Sequence, residues 1–461
     1  MAQVVSLPFG SGSVQVELPD EAIVVGGGGG EGRPRLQPAP DQERAVRDAL
    51  ANPLGMPRLG ELARPGARVL IAFDDCTVAS FGPLRRLAIE AMVEELTAAG
   101  VREEDIHLVC ANALHRKWRR EELASVLGEA LIERFGPRLT CHDAEAPEDL
   151  VYLGTSESGY DVEVHRLVAE ADITCYVNAG YHLGFNGGWK SIVVGLSTWR
   201  SIRWTHTPDG MSMSVHDNRM HRVLTEMGHH LRRRVGKPIF KVETVLANPY
   251  QVARVFAGDV DETRRAAIEV MASLFPPRRA EAPTKADILV YGVPAWSPYA
   301  SFARMNPILT LVSSGLGYLG GYIEALGKPG CSVVMATPCP EEWDMVHHPA
   351  YKEVWDRVLP ATRDPYEIMA RFEGEFASHR GYIEAYRFGY AYHPVHALLA
   401  THPLKRLRHA GRVFVAGAED PAIPRHLGFI PTRTVEEAIA EARRLHGPDA
   451  TVACVARFPG T

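Results

Sequence analysis

Ala171-Asp172-Ile173-Thr174-Cys175-Tyr176-Val177-Asn178 runs without interruption into AGYHLGFNGGWKSIVVGLSTWRSIRWTH, residues 179–206. The first eight residues form a short, mostly apolar, β-branched run of the kind that fills a parallel strand buried on both faces. A glycine-rich turn comes after it, with a lysine just past the turn and two histidines in the same span. Gly184, Phe185, Asn186, Gly187 and Gly188 would let backbone N–H groups crowd an anion without interference from Cβ atoms. Helical apolar spacing at Ile192, Leu196, Trp199 and Ile202 would set a helix N-terminus behind them, a plausible phosphate seat. Lys190 and His206 stand sixteen positions apart. A straight helix would separate their Cα atoms by roughly 24 Å. For both to touch one ligand the segment must break, and Gly195 is the natural place. The same stretch also fits an ordinary strand-to-helix turn with a solvated lysine and a capping histidine.

The pattern repeats upstream. Ala67–Phe73 is a second buried-strand run, ending in Asp74-Asp75-Cys76-Thr77. Open α/β sheets bind ligands at the carboxyl ends of their strands, so Asp75 and Thr77 are placed for chemistry there, or else they cap the helix that begins near Pro83. A helix over Leu84–Ala99 and a strand over Ile106–Cys110 lead to Ala111-Asn112-Ala113-Leu114-His115-Arg116, which puts His115 at another strand end. Further short runs lie at Leu139–Asp143 and Val162–His165. This alternation over residues 65–200 argues for a parallel α/β layer.

Working outward, residues 4–25 alternate around Gly10-Ser11-Gly12 as a β-hairpin. The glycines at 27, 29 and 32 match a dinucleotide-binding pattern in form only, because Arg33-Pro34 follows where a helix would have to open. A polar helix ends at His229-His230-Leu231-Arg232-Arg233-Arg234, where basic groups suit the helix dipole. Residues 275–285, FPPRRAEAPTK, read as a domain boundary. The second half opens with the strand Ala286–Pro294 and contains another formal glycine pattern at Gly315, Gly317 and Gly320. It sits 25 positions beyond Val290, near which that strand ends, and the next strand, Ser332–Ala336, offers no ribose-binding acid. A strand at Arg412–Ala416 and a helix at Val435–Leu445 complete a second α/β pattern.

The expected architecture is therefore two α/β domains with parallel-rich sheets, residues 1–275 and 286–461, with the active site in the cleft between them. At 461 residues two cores are the default. A formal net charge of −6 gives no electrostatic reason to expect nucleic acid or an anionic membrane. Seven scattered cysteines without a CxxC pair argue against a disulfide framework and for a reducing cytoplasm. No signal peptide or membrane span is expected.

Taken together, LPFGSGSVQVELPDE (7–21), the strand-end DDCT, the ALHR turn, GFNGGWK, His206, the FAGD segment (256–259) and YGVP (291–294) resemble the lactate racemase family, the nickel-pincer-nucleotide-dependent 2-hydroxyacid racemases and epimerases. The resemblance implies a cofactor, pyridinium-3-thioamide-5-thiocarboxylic acid mononucleotide carrying Ni2+, joined as a thioamide to a lysine that maps onto Lys190. His206 would complete the nickel's donor set, and imidazole with soft sulfur suits nickel(II). Gly184–Gly188 would cradle the phosphate and Thr77 would bind the cofactor. The implied reaction inverts the carbinol carbon of a small 2-hydroxyacid by moving a hydride to the cofactor and back, with two acid/base groups on opposite faces. His115 matches the first base, and Asp75 the acid that steadies a catalytic histidine.

The chain departs from the family pattern at several positions. The second catalytic histidine aligns with Gly180, and the nearest imidazole is His182, with Tyr181 beside it. The arginine after the strand-end D-x-T is Val78. The glutamine and lysine that hold the substrate carboxylate correspond to Ser301 and Arg304. These changes predict an altered pocket for a hydroxyacid other than lactate. A non-catalytic cofactor-binding paralogue and a zinc hydrolase built on His182, His206 and His216 stand as alternatives.

Overall fold

The computed structural model describes residues 3–26, 36–78, 80–180, 184–211, 214–215, 218–274 and 285–456. The buried-strand runs form strands as their composition requires. Val69–Asp74 and Ile173–Asn178 are buried at every position, and Ile106–Ala111 at all but one. They lie side by side in a six-stranded sheet whose order is Gln251–Gly258, Ile239–Asn248, Ile173–Asn178, Val69–Asp74, Ile106–Ala111 and Leu139–Cys141. All pairs are parallel except the edge hairpin of Ile239–Asn248 with Gln251–Gly258. Parallel register places Asp74 opposite Ala111 and Phe73 opposite Val177, so the three central strands end together. The helix Leu84–Ala98 packs Leu84, Ala88, Ile89, Met92 and Leu96 into the core on one face of this sheet. The short run ending at His165 is not part of it. Asp161–His165 pairs antiparallel with Leu150–Thr155 in a separate two-stranded sheet.

A second six-stranded sheet, entirely parallel, has the order Ile430–Thr432, Arg412–Ala416, Gly327–Ala336, Ala286–Gly292, Val452–Val455 and Ile23–Val25. The glycines at 315 and 317 fall inside the helical segment Ile308–Tyr318, where Gly315 packs on Met335 Sδ and Gly317 on Pro403. This is helix packing and not a phosphate loop. The expected N-terminal hairpin forms, Gln3–Phe9 against Gly12–Leu18, with Phe9 paired to Gly12.

The chain divides into two compact units, and the division is not simply linear. One unit is residues 34–277 with 383–393, and the other is residues 1–33 with 278–382 and 394–461. The hairpin, assigned from sequence to residues 1–275, therefore belongs with the later half. The reason is pairing, since Ile23–Val25 adds a parallel edge strand beside Val452–Val455, with Val24 opposite Cys454. Residues 383–393 return to the first unit. No helix among the described residues is long and apolar enough to cross a membrane, and all seven cysteines are free thiols.

Candidate active site

The two aspartates at the end of Val69–Asp74 have different tasks. Asp74 is consumed by its own sheet, accepting hydrogen bonds from Tyr176 Oη at 2.8 Å, Asn178 Nδ2 at 2.7 Å and the Ala179 N–H at 2.9 Å. It fastens the end of Ile173–Asn178, and so the start of the glycine-rich stretch. Asp75 turns to His115 instead, with 2.9 Å between Oδ2 and Nδ1. Thr77 donates its hydroxyl to Asp75 Oδ1 at 2.5 Å, and Trp118 Nε1–H reaches Oδ2 at 3.2 Å. Burial raises the Asp75 carboxyl, but the charge and hydrogen bond of His115 and the Thr77 donors outweigh it, leaving the group below its usual range. With Nδ1–H given to a carboxylate, the lone pair of His115 lies on Nε2, and the ring is partly exposed.

Arg85, fully buried, holds this loop from beneath. Its guanidinium donates to the carbonyls of Asp74, Asp75, Ser80 and, at 3.3 Å, Val78. It cannot stand in for an arginine at position 78, because its donors are spent on backbone.

The glycine-rich stretch breaks where its spacing requires. Lys190–Val193 and Trp199–Ile202 are separate four-residue helices, so the continuous helix suggested by Ile192, Leu196, Trp199 and Ile202 does not form. Gly195 lies between them. A Cβ there would stand 2.3 Å from the Ser191 carbonyl, 3.0 Å from Tyr176 Oη and 3.1 Å from Ala111 Cβ, so only glycine passes. Its carbonyl accepts the Ala113 N–H at 3.0 Å, which ties the His115 loop to the stretch.

The chain folds back so that Phe185 touches both distant partners. Lys190 Nζ lies 3.1 Å from the Phe185 ring centroid, and the His206 ring packs edge-on to it at 6.4 Å. The amine and the imidazole are thus no farther apart than those two distances laid end to end. Burial pushes the Lys190 amine well below the ordinary lysine value, against the opposing charges of Asp74 and Asp75. Thr205 orients His206. The threonine hydroxyl donates to the Ile202 carbonyl at 2.9 Å, so it accepts from Nδ1–H of His206, also at 2.9 Å, and the imidazole lone pair falls on Nε2.

The glycine turn itself differs from an open anion cradle. The Gly188 N–H donates to Glu243 Oε2 at 2.8 Å, and a Cβ on Gly187 would strike Glu243 Oε1 at 2.0 Å. Arg264 donates to the Asn186 carbonyl. Four residues of helix after the turn give it little dipole to offer.

Gly180 has both backbone groups engaged with the Ile239–Asn248 strand, its N–H on Thr244 Oγ1 at 3.1 Å and its carbonyl on the Leu246 N–H at 3.0 Å. Tyr181, His182 and His216 lie outside the described residues. Ser301 and Arg304 belong to the other unit. Ser301 Oγ donates to the Pro298 carbonyl at 3.1 Å, and Arg304 is exposed. His229 and His230 are structural, on Asp261 and the Leu153 carbonyl.

Sequence reasoning passed over three groups of contributors. Trp118, three positions past His115, gave no signal because its partner Asp75 is distant in sequence. Lys241 and Glu243, a lysine and a glutamate both fully buried in the strand Ile239–Asn248, could have been noticed as charges inside an apolar run. Residues 383–393 brace the His115 loop, with Tyr386 Oη donating to the Ala113 carbonyl at 3.0 Å, the His393 N–H to the Leu114 carbonyl at 3.0 Å, and Tyr392 ring-to-ring with His115 at 5.8 Å.

Residues 9–219 match the lactate racemase N-terminal domain. The lactate racemase of Thermoanaerobacterium thermosaccharolyticum is 24% identical over 282 residues, 59% of this chain and 62% of that protein. That of Lactiplantibacillus plantarum is 23% identical over 242 residues, 50% of this chain and 54% of that one. The chain thus matches less than two thirds of the length of either relative. The solved structure of the Thermoanaerobacterium thermosaccharolyticum lactate racemase apoprotein superposes with a TM-score of 0.70 at 19% identity, covering 98% of both chains. A Thermotoga maritima protein follows at 0.51 and 15% identity, covering 91% of this chain and 96% of its own. These structures share the fold, and over residues 9–219 the chain is similar to the N-terminal domain of the lactate racemases.

Proposed function

We propose that this protein is a racemase or epimerase of a 2-hydroxyacid other than lactate, acting with a nickel-pincer nucleotide tethered to Lys190. One observation supports it above the rest: a desolvated lysine amine and an oriented imidazole, sixteen residues apart, meet on the ring of Phe185. The donor set fits the group. An amine that burial holds toward its neutral form is suited to an amide-type bond, and an imidazole whose lone pair lies on Nε2 is suited to nickel. Lys190 would hold the cofactor covalently and His206 its metal. When bound, the group would supply a hydride acceptor and donor at the carbinol carbon.

The chain's own part is proton handling and orientation. His115 Nε2 would take the substrate's hydroxyl proton, and Asp75 would stabilise the imidazolium across the 2.9 Å contact without itself accepting the proton. Thr77, through its bond to Asp75, would act on that carboxylate and not on the nucleotide. The second acid/base role falls to His182, with Tyr181 as neighbour, since Gly180 has no side chain to offer. Ser301 and Arg304 are proposed as contacts for the substrate carboxylate. With Val78 in the place of an arginine, a small acid lacks one partner, and an unpaired carboxylate is costly to bury. A larger or more polar acid is therefore favoured over lactate.

The test is intact and peptide mass of protein purified from a host that makes the cofactor, followed by racemisation of a 2-hydroxyacid panel read by chiral chromatography. An adduct on Lys190 with turnover of one panel member is the expected result. An adduct without any turnover would support a cofactor-holding paralogue, and an unmodified Lys190 would overturn the proposal.

A further inference from the structure

Lys241 and Glu243 sit two positions apart on one strand, with both side chains fully buried and 3.6 Å between Nζ and Oε2. Their strand neighbours are Tyr176 and Asn178, the last residues before the glycine-rich stretch. A buried ion pair is a poor way to stabilise a sheet, because desolvation offsets most of its attraction and an apolar pair of similar size serves as well. The geometry points to another use. Glu243 Oε2 accepts the Gly188 N–H at 2.8 Å. Lys241 Nζ donates to Ser191 Oγ, lies 3.4 Å from the Gly188 carbonyl and sits 4.5 Å above the Tyr176 ring. The two residues gripped, Gly188 and Ser191, flank Lys190 in the chain. The fit leaves no slack. Gly187 and Gly188 have positive φ, at 85° and 54°, and a Cβ on Gly187 would meet Glu243 at 2.0 Å.

We infer that Lys241 and Glu243 are positioning residues for Lys190, clamping the backbone on both sides of it so that the amine is presented on Phe185 toward His206. The inference rests on the reading of Lys190 as the cofactor's tether. Neither charge needs to touch the cofactor. Glu243 fixes the turn that swings the lysine inward, and Lys241 fixes the first turn of the short helix that Lys190 opens. Lys190–Val193 is only four residues long, too short to hold its own direction.

The experiment compares the wild type with Glu243→Ala, Glu243→Gln and Ser191→Ala. Ser191→Ala removes one hydroxyl and opens no cavity in the strand, which keeps the test alive should Glu243→Ala fail to fold. The first readout needs no cofactor: competitive labelling of the full-length chain with acetic anhydride, with the Lys190 rate taken by peptide mass relative to the other lysines. Glu243→Ala and Ser191→Ala are expected to change the relative rate at Lys190 by about tenfold or more, the scale on which a reacting group displaced by an ångström changes its rate. Glu243→Gln keeps an acceptor for the Gly188 N–H and is expected to stay nearer the wild type. The second readout is occupancy of the Lys190 adduct after expression in a cofactor-making host, expected to fall in the same order. Folded variants with wild-type labelling at Lys190 and wild-type occupancy would overturn the inference. If the wild-type chain carries no adduct, the tether reading fails by itself, and the labelling comparison still decides whether the pair positions Lys190.

Discussion

The two parallel sheets are built alike and finished differently at their carboxyl ends. In the second sheet three adjacent strand ends are closed by the tip of the N-terminal hairpin. Gly10 exchanges backbone hydrogen bonds with Val293 and Ala295 at 3.2 and 2.8 Å. A Cβ on Gly292 would lie 1.9 Å from the Pro8 carbonyl, one on Gly10 2.7 Å from Pro338, and one on Gly417 2.8 Å from the Phe9 ring. In the first sheet the corresponding ends carry Asp74, Asp75, His115 and Asn178, and their polar atoms are turned toward one another and the Lys190 stretch. Under the proposed function, ligand chemistry at strand ends is an opportunity that the fold offers at both sheets and the sequence takes at one. Glycine and proline close an end by letting backbone meet backbone, whereas at the first sheet buried carboxylates position polar groups, and His115 alone among these four is left partly exposed.

The largest test of that contrast is removal of the base. His115→Asn should lower kcat on the responsive 2-hydroxyacid by about 10²- to 10⁴-fold, the range general base catalysis supplies. Thermal unfolding should move far less than activity, because an asparagine amide can still donate to the buried Asp75 carboxylate. Steady-state kinetics on protein matched for Lys190 occupancy makes the measurement, and a loss under tenfold would deny the first sheet's end its catalytic role.

Much of this contrast was legible in the chain. Mostly apolar runs of five to eight residues announced the central strands, and the strand-end positions of Asp75 and His115 followed from them. The need for a break at Gly195 followed from the separation of Lys190 and His206 alone. What the sequence hid were contacts between residues far apart in it. Nothing local tells that Phe9 and Gly10 cap strands some 280 to 400 positions away, that Tyr386 and Tyr392 return to the His115 loop, or that Glu243 fills the glycine turn. Helical spacing after Lys190 misled for a physical reason. The same apolar positions are buried by two short helices because the steric demand at Gly195 overrides local periodicity.

Acid should strike both units alike, and so sharpen the contrast by showing what does not depend on the site. His142 in the first unit gives Nε2–H to the Ser197 carbonyl at 3.0 Å, and His402 in the second is buried with no hydrogen bond to its ring from the described residues. Burial pushes each down to about 3 from an ordinary 6.5. The unfolded chain therefore binds protons that the folded chain refuses, and stability is lost as pH falls below 6.5. Between pH 6.5 and 5 the loss is about 2 kcal/mol for each histidine. Hydrogen exchange resolved by unit should show His402→Leu flattening the acid dependence of the second unit and leaving that of the first.

A single methyl group is enough to disturb the closed end. Gly292→Ala drives that methyl into the Pro8 carbonyl and should destabilise the second unit by about 1–3 kcal/mol. Urea unfolding monitored by exchange in residues 286–292 would register it, while acetic anhydride labelling at Lys190 should not change. A shift at Lys190 would mean that the two ends are not independent.

The smallest effect is expected at the opposite, amino ends of the second sheet's strands, where no ligand chemistry is proposed. Asp287 accepts from Lys328 Nζ at 2.8 and 2.9 Å and from the Thr451 hydroxyl and N–H at 2.8 and 3.0 Å. Burial raises its pKa, and these four hydrogen bonds with the Lys328 charge more than reverse that, bringing it to about 2. A carboxylate with a depressed pKa contributes above its unfolded value of 3.8 and loses the contribution as pH falls through about 2. The Lys328 partner is well exposed, so solvent screening reduces the benefit to about 1 kcal/mol or less. Asp287→Asn should lower the free energy of urea unfolding by that amount at pH 7 and by a small fraction of it at pH 2. Equal losses at both pH values would show that the donors, and not the charge, hold Asp287 to Thr451. The strand's amino end would then be fastened as the closed carboxyl end is, by hydrogen bonds that need no ionised group.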